Sequence, residues 1–172
     1  MPDTVRRHWA RWLVASLAVV VLDLATKAWV TQALRLGEVR EVTSFFNLVL
    51  VHNTGAAFSI LAGAGGWQRW LFIGLAIAIC GVLLVMLRRH HEHALAATAL
   101  ALLVGGALGN VWDRVTLGYV VDFVQLHAGG YYWPAFNVAD SAITVGVTLL
   151  IWDSFRDQGS GQPAPGAGGE KA

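Results

Sequence analysis

The chain has 172 residues, 56% of them hydrophobic and 13% charged, with a formal charge of +1. That length suits one domain, and a mean hydropathy of +0.55 lies far above that of an ordinary soluble domain. A near-neutral chain lacks the dense basic face of a nucleic-acid binder, and a single cysteine, Cys80, cannot form an intrachain disulfide.

A spanning helix needs about 20 mostly apolar residues, each rising about 1.5 Å through about 30 Å of hydrocarbon. The first such run covers about 12–30. Arg6, Arg7 and Arg11 precede it as they would a secretory signal. Asp23 and Lys27 follow its apolar core, however, with no small-x-small cleavage site, and three more apolar runs come later. The run therefore reads as a retained span. Asp23 and Lys27 are four apart, on one helix face at membrane depth. They are either a mutually neutralising support or part of the chemistry.

The segment VREVTSFFNLVLVHNTGAAFS follows. Val39, Val42, Phe45, Phe46, Val49 and Val51 favour strands, and His52-Asn53-Thr54-Gly55 signals a turn. A small sheet resting on the outer membrane surface is the expectation. The second span covers about 70–87. His90, His91 and His93 cluster after it without the carboxylates or HExxH spacing of a metal site, so no metal is assigned.

The third span, about 94–112, ends in LLVGGALGNVWDR. Gly105 and Gly109 form a small-x-x-x-small pair that permits close helix contact. Asn110 and Arg114 share a face and could hold a carboxylate or a peptide carbonyl. The plainer alternative is interfacial anchoring with a local Asp113–Arg114 pair.

Beyond it, VTLGYVVDFVQLH is strand-like with a break at Gly118, and it sets Asp122 among residues that seek burial. Asn137 stands three residues before Asp140, at the entry to the fourth and shorter span of about 138–152, as in a helix cap. Lys and Arg bias places both termini in the cytoplasm and both long loops outside. Residues 1–157 read as one membrane-embedded domain and the Gly/Pro-rich 158–172 as a disordered cytoplasmic tail. The fold class is thus mainly α, with four transmembrane helices and a small extracytoplasmic β-sheet.

Taken singly, Asp122 could be a turn acid and Asp140 a helix cap. Taken together, 18 residues apart across a hairpin-like excursion, they can face each other. Two facing carboxyls do not both ionise easily. The helix N-terminus favours the charge on Asp140, leaving Asp122 the more readily protonated. A neutral acid beside a carboxylate suits peptide hydrolysis by water. Ser–Lys catalysis stays open, because Ser44, Ser59 and Ser141 lie on the same outer side as Lys27. A transporter could use the same intramembrane charges, although no internal repeat or broken helix supports one. In a purely structural adaptor the acids would be only caps and turn formers.

Five motifs then appear in order: DLATK (Asp23 to Lys27), HNTGAAFS (His52 to Ser59), GNVWDR (Gly109 to Arg114), VVDF (Val120 to Phe123) and FNVAD (Phe136 to Asp140). Over about 11–155 the chain resembles the bacterial lipoprotein signal peptidases, signal peptidase II. The resemblance implies an inner-membrane aspartyl endopeptidase that cuts a diacylglyceryl-modified prolipoprotein before its lipid-modified cysteine. It maps a catalytic dyad onto Asp122 and Asp140. It maps supporting residues onto Asp23, Lys27, Asn53, Gly106, Asn110, Arg114 and Asn137. It also implies a monomer among membrane lipids with no cofactor, and globomycin-type inhibitors in the substrate groove. For such a substrate an apolar slot between spans would admit acyl chains. Tyr131, Tyr132, Trp133 and Phe136 suit a headgroup-level rim, and Phe58 could cover the site.

Overall fold

The computed structural model describes residues 3–55 and 65–160, with side chains at 9–55 and 65–156. In chain order the elements are α1 (Asp3–Ala33), β1 (Val39–Thr43), β2 (Phe46–Asn53), α2 (Trp67–His90), α3 (Ala94–Thr116), β3 (Val120–Ala128), β4 (Tyr131–Tyr132) and α4 (Val138–Ser160). Each helix carries a segment long and apolar enough to cross a membrane: Trp9–Ala33, Trp67–His90, Ala94–Thr116 and Val138–Arg156. Each outruns its apolar core, because Trp, Arg and His at the interfaces continue the helix with amphipathic side chains. α4 extends to Ser160, three residues into the stretch expected as tail. Residues 161–172, Phe58 and Ser59 lie outside the described residues.

α3 is the central post. Of its apolar segment 61% is buried, against 22%, 22% and 17% for α1, α2 and α4, each of which packs on it. Glycine makes this possible. A Cβ at Gly105 would stand 2.7 Å from the Ser16 carbonyl oxygen of α1, and one at Gly106 2.5 Å from the Ala139 carbonyl oxygen of α4. The neighbouring backbones therefore ride directly on α3, as small residues permit in lipid. The Ser16 hydroxyl donates to the Ala101 carbonyl at 2.8 Å across the same contact. Outward-facing Leu17, Val21, Trp70, Val82 and Trp152 stay exposed and form the lipid face.

The strands of both long loops join one antiparallel sheet in the order β1-β2-β3-β4. A small sheet is what the sequence predicts; its assembly from two distant loops is not something periodicity can show. Pairing of Leu48 with Val124 and of Val51 with Asp122 leaves one extra residue on β2, a bulge beside Asp122. Val30 and Leu34 of α1 bury against Leu50, Val121 and Phe123, which seats the sheet on the helix end. On β3's other edge, Phe123 and Val124 N–H groups donate to the Phe136 carbonyl at 3.0 and 2.8 Å. That clamp brings the start of α4 back beside Asp122.

Candidate active site

Asp122 is buried and held on both oxygens. Asn53 Nδ2 donates to Oδ2 at 3.0 Å and Asn137 Nδ2 to Oδ1 at 2.7 Å. Asn53 is itself fixed by the Gly55 N–H, which donates to its Oδ1 at 2.9 Å in a tight turn. Burial, and next the charge of Asp140, push the Asp122 carboxyl from the usual 3.8 up to about 7; the two amide bonds and Lys27 pull weakly the other way. The direction is the one expected from the placement of the two acids.

Asp140 enters from the first turn of α4. Asn137 is the N-cap: its Oδ1 accepts the Asp140 N–H at 2.9 Å, and the Asn137 N–H donates to Asp140 Oδ2 at 3.3 Å. This is a reciprocal capping box with Asn and Asp in the cap and third positions. The cap expected from the sequence is present, and Asp140 still lines the same cavity as Asp122. One residue, Asn137, caps α4 and touches both carboxyls, that of Asp122 through its side-chain amide and that of Asp140 through its backbone N–H.

Asn110 is the hub of the network. Its Nδ2 donates to Asp140 Oδ1 at 2.8 Å, while its Oδ1 accepts from Lys27 Nζ and from Asn137 Nδ2, each at 3.2 Å. Donors and acceptors fix the amide's orientation, since a flip would point its NH2 at an ammonium. Lys27 is 3% exposed and all three of its N–H bonds find an oxygen. They reach Asp23 at 2.7 Å, Asp113 at 2.9 Å and Asn110. Asp23 reaches further still: its Oδ1 accepts the Ala139 N–H at 2.9 Å, capping a second donor of α4.

Several expectations gain detail. Of the two targets expected for this face, Asn110 takes a carboxylate, that of Asp140, and Arg114 takes a peptide carbonyl. It donates to the Gly55 carbonyl at 2.8 Å and lies 5.3 Å from the Phe72 ring centre, tying the first outer loop to α3 and α2. Asp113 does not pair with Arg114; it binds Lys27 and accepts the Val121 N–H at 3.1 Å. Asp113 is thus a network member outside the site residues expected from the sequence. Its position one helical turn after Asn110 was the available signal. Gly106 and Gly109 both serve the site: a Cβ on Gly109 would stand 2.6 Å from Asp23 Oδ2. The Ser141 hydroxyl donates to the Asn137 carbonyl, while the Lys27 ammonium is bonded to Asp23, Asp113 and Asn110. Tyr131, Tyr132 and Trp133 are exposed at the rim. Among the described residues no group of three His, Cys, Asp or Glu could hold a metal ion.

Asp122 and Asp140 share the polar end of a cavity of about 770 Å³ that continues between apolar walls such as Phe72, Ile79, Leu103 and Ile143. α2 and α4 both pack on α3 but barely meet one another, which leaves this slot between them facing the lipid side.

Residues 15–156 match the family model described as signal peptidase (SPase) II. A lipoprotein signal peptidase of Azoarcus sp. (strain BH72) is 54% identical over 160 residues, 93% of this chain and 89% of that protein. One from Paraburkholderia phytofirmans is 52% identical over 147 residues, 86% of each chain. A bacterial membrane enzyme solved by the in meso method at 2.3 Å resolution superposes with a TM-score of 0.82 at 32% identity, covering 91% of this chain and 94% of that one. Sequence and architecture agree, and the chain belongs to the signal peptidase II family of membrane peptidases.

Proposed function

We propose that this protein removes signal peptides from diacylglyceryl-modified prolipoproteins, cutting before the lipid-modified cysteine by water activated between Asp122 and Asp140. The observation that carries the reading is that Asp122 and Asp140 line the same end of an apolar slot. Asp122, with its carboxyl near 7, is the group that holds a proton and polarises the scissile carbonyl. Asp140, at a helix N-terminus and bonded by Asn110, is the carboxylate that takes a proton from the attacking water. The proton then passes to the leaving amine as the C–N bond breaks. Asn53, Asn110 and Asn137 orient the acids, and Asp23, Lys27 and Asp113 lock the elements that carry them. Gly106 lets α4 approach, and Arg114 holds the loop after β2.

The slot between α2 and α4 suits a substrate that is itself a membrane segment with two acyl chains, entering sideways from the bilayer. Globomycin-type inhibitors would occupy the same slot. We place the protein in the bacterial inner membrane as a multi-pass monomer, with the sheet outside and both ends of the 1–157 domain in the cytoplasm. Arg11, Arg88, Arg89 and Arg156 at the end away from the sheet support that orientation.

The test is cleavage of a modified prolipoprotein by purified protein, comparing wild type with Asp122→Asn and Asp140→Asn. Each variant should lose at least about a hundredfold in kcat while remaining folded. Normal cleavage by either variant overturns the dyad.

A further inference from the structure

Residues 133–136 form a strap along β3 that is fastened at both ends. The Trp133 N–H donates to the Leu126 carbonyl at 2.8 Å. At the other end Phe136 exchanges bonds with Val124: its N–H donates to the Val124 carbonyl at 3.0 Å, and its own carbonyl accepts the Val124 N–H at 2.8 Å. Pro134 and Ala135 lie between these fastenings, and all four residues line the cavity that Asp122 and Asp140 share. No peptide bond among the described residues is cis, so each C=O points opposite to the N–H of its own peptide. The Phe136 N–H points at β3, and the Ala135 carbonyl in the same peptide therefore points away from it. Among the described residues neither the N–H nor the carbonyl of Ala135 has a hydrogen-bond partner, and the Pro134 carbonyl has no donor. The strap is thus an unpaired edge on the slot side of the sheet, half-buried at Ala135.

We propose that this edge is a main-chain subsite, in which Ala135 pairs with an extended stretch of the substrate beside the scissile bond as one strand pairs with another. Its carbonyl accepts a substrate N–H, and its N–H donates to the carbonyl of the same substrate residue. The proposal rests on the peptidase reading above and specifies how that site grips the polypeptide, as distinct from its lipid.

Two arguments select a peptide as the occupant. The first is need. A signal segment lies in the bilayer as a helix, with its backbone groups bonded internally. To set one carbonyl against Asp122 and admit water at Asp140 the chain must leave the helix, and the N–H and C=O groups so freed are costly unless something meets them. Ala135 meets one of each, and only a methyl group stands beside them to hinder another main chain. The second is chemistry. A bare carbonyl calls for a donor; acyl chains and glyceryl esters carry none, whereas a peptide offers an N–H at nearly every residue. The register then fixes where the pairing falls. Phe136 pairs with Val124, so Ala135 is level with Gln125, three residues along β3 from Asp122 and about 10 Å away. The substrate residue opposite Ala135 is therefore two to four positions from the bond that is cut.

The experiment uses the full chain and a set of diacylglyceryl-modified lipopeptides in which one backbone amide at a time, never the scissile one, is replaced by an ester. In wild type an ester at one position, two to four residues from the cleaved bond, should raise KM roughly fivefold to fiftyfold with kcat within about twofold. Ala135→Pro removes the Ala135 N–H while leaving the Phe136 bonds to β3. It should raise KM for the all-amide substrate by a similar factor, and the ester at the sensitive position should then add less than about twofold, because the two bonds form as a pair. If Ala135→Pro does not fold, lactic acid in place of Ala135 removes the same N–H without a ring and decides in its stead. Indifference to every ester, or an ester effect as large in the variant as in wild type, overturns the proposal. So does a loss in kcat with KM unchanged, which would make Ala135 a structural residue only. If wild type does not cleave the all-amide substrate, it is the peptidase reading that fails, before this subsite is tested.

Discussion

Replacing Asp122 by Asn should change stability by an amount that depends on pH, increasingly in favour of Asn as the pH rises. Asp122 is 2% exposed, and its carboxyl titrates near 7 instead of 3.8. A carboxyl whose folded pKa lies above its unfolded one costs nothing while both states are protonated, below about pH 4. The cost grows as pH climbs through the window from 3.8 to 7 and then levels off. At about 1.36 kcal/mol per unit, it reaches about 4 kcal/mol at pH 8 and only about 1.5 at pH 5. Asn does not titrate but brings one fault. Asn53 and Asn137 each aim an NH2 at a different Asp122 oxygen, and an amide has only one acceptor oxygen to offer them. One donor then faces another, at about 1–3 kcal/mol. That fault is the same at both pH values, so it cancels from the comparison. The advantage of Asn over Asp should therefore widen by about 2–3 kcal/mol between pH 5 and pH 8, roughly 5–10 °C in melting temperature for a chain of this size. Thermal unfolding of both proteins in one detergent at pH 5, 6, 7 and 8 measures it. An offset that stays constant across that range would show that ionising Asp122 is not costly, and the assignment of the proton to Asp122 would fall.

Three further outcomes follow from the same geometry. In wild type, kcat/KM should fall about tenfold per unit above pH 7 as Asp122 loses its proton; a profile flat to pH 9 contradicts that role. Gly106→Ala should cost about 1–3 kcal/mol and depress kcat, because its Cβ drives the Ala139 carbonyl, and with it Asp140, off α3. Gly74→Ala, where a Cβ meets nothing within 4 Å, is the control, and equal effects at the two sites would refute the close-approach argument. Lys27→Met should destabilise by about 3–5 kcal/mol by leaving Asp23 and Asp113 buried without their cation. Adding Asp23→Asn should recover part of that loss, and additive losses in the double variant would show that no such pairing exists.

The four spans were legible because hydrocarbon imposes a length and a composition on any helix that crosses it. Their ends were less so: α2 begins at Trp67 and closes at His90, beyond the purely apolar 70–87, since interfacial side chains carry no hydropathy signal. Strand formers such as Val49 and Val121 announced strands, but which strands pair depends on contacts about 67–80 residues apart. The two acids stood out as charges in an apolar setting. Asn53 and Gly106 came only through the family resemblance, and their reasons are spatial: an amide aimed at Asp122, and a missing Cβ beneath Ala139. Asp113 was not among the expected site residues, because its partner Lys27 lies 86 residues away in sequence and meets it only in space.

The long reach of the Lys27 contacts has a consequence for how the protein is made. Lys27 leaves the ribosome 86 residues before Asp113. At about 5–20 residues per second that is roughly 4–17 s during which Asp23 is its only ionic companion. Two N–H bonds of the ammonium have no resident acceptor until α3 arrives, and one oxygen of Asp23 has none until α4 does. Because Asp140 also rides on α4, a helix translated after the other three both relieves the first helix and delivers the second acid. A nascent chain interrupted before that point exposes uncompensated polar groups to lipid, a mark on which membrane quality control can act, and holds only half of the acid pair.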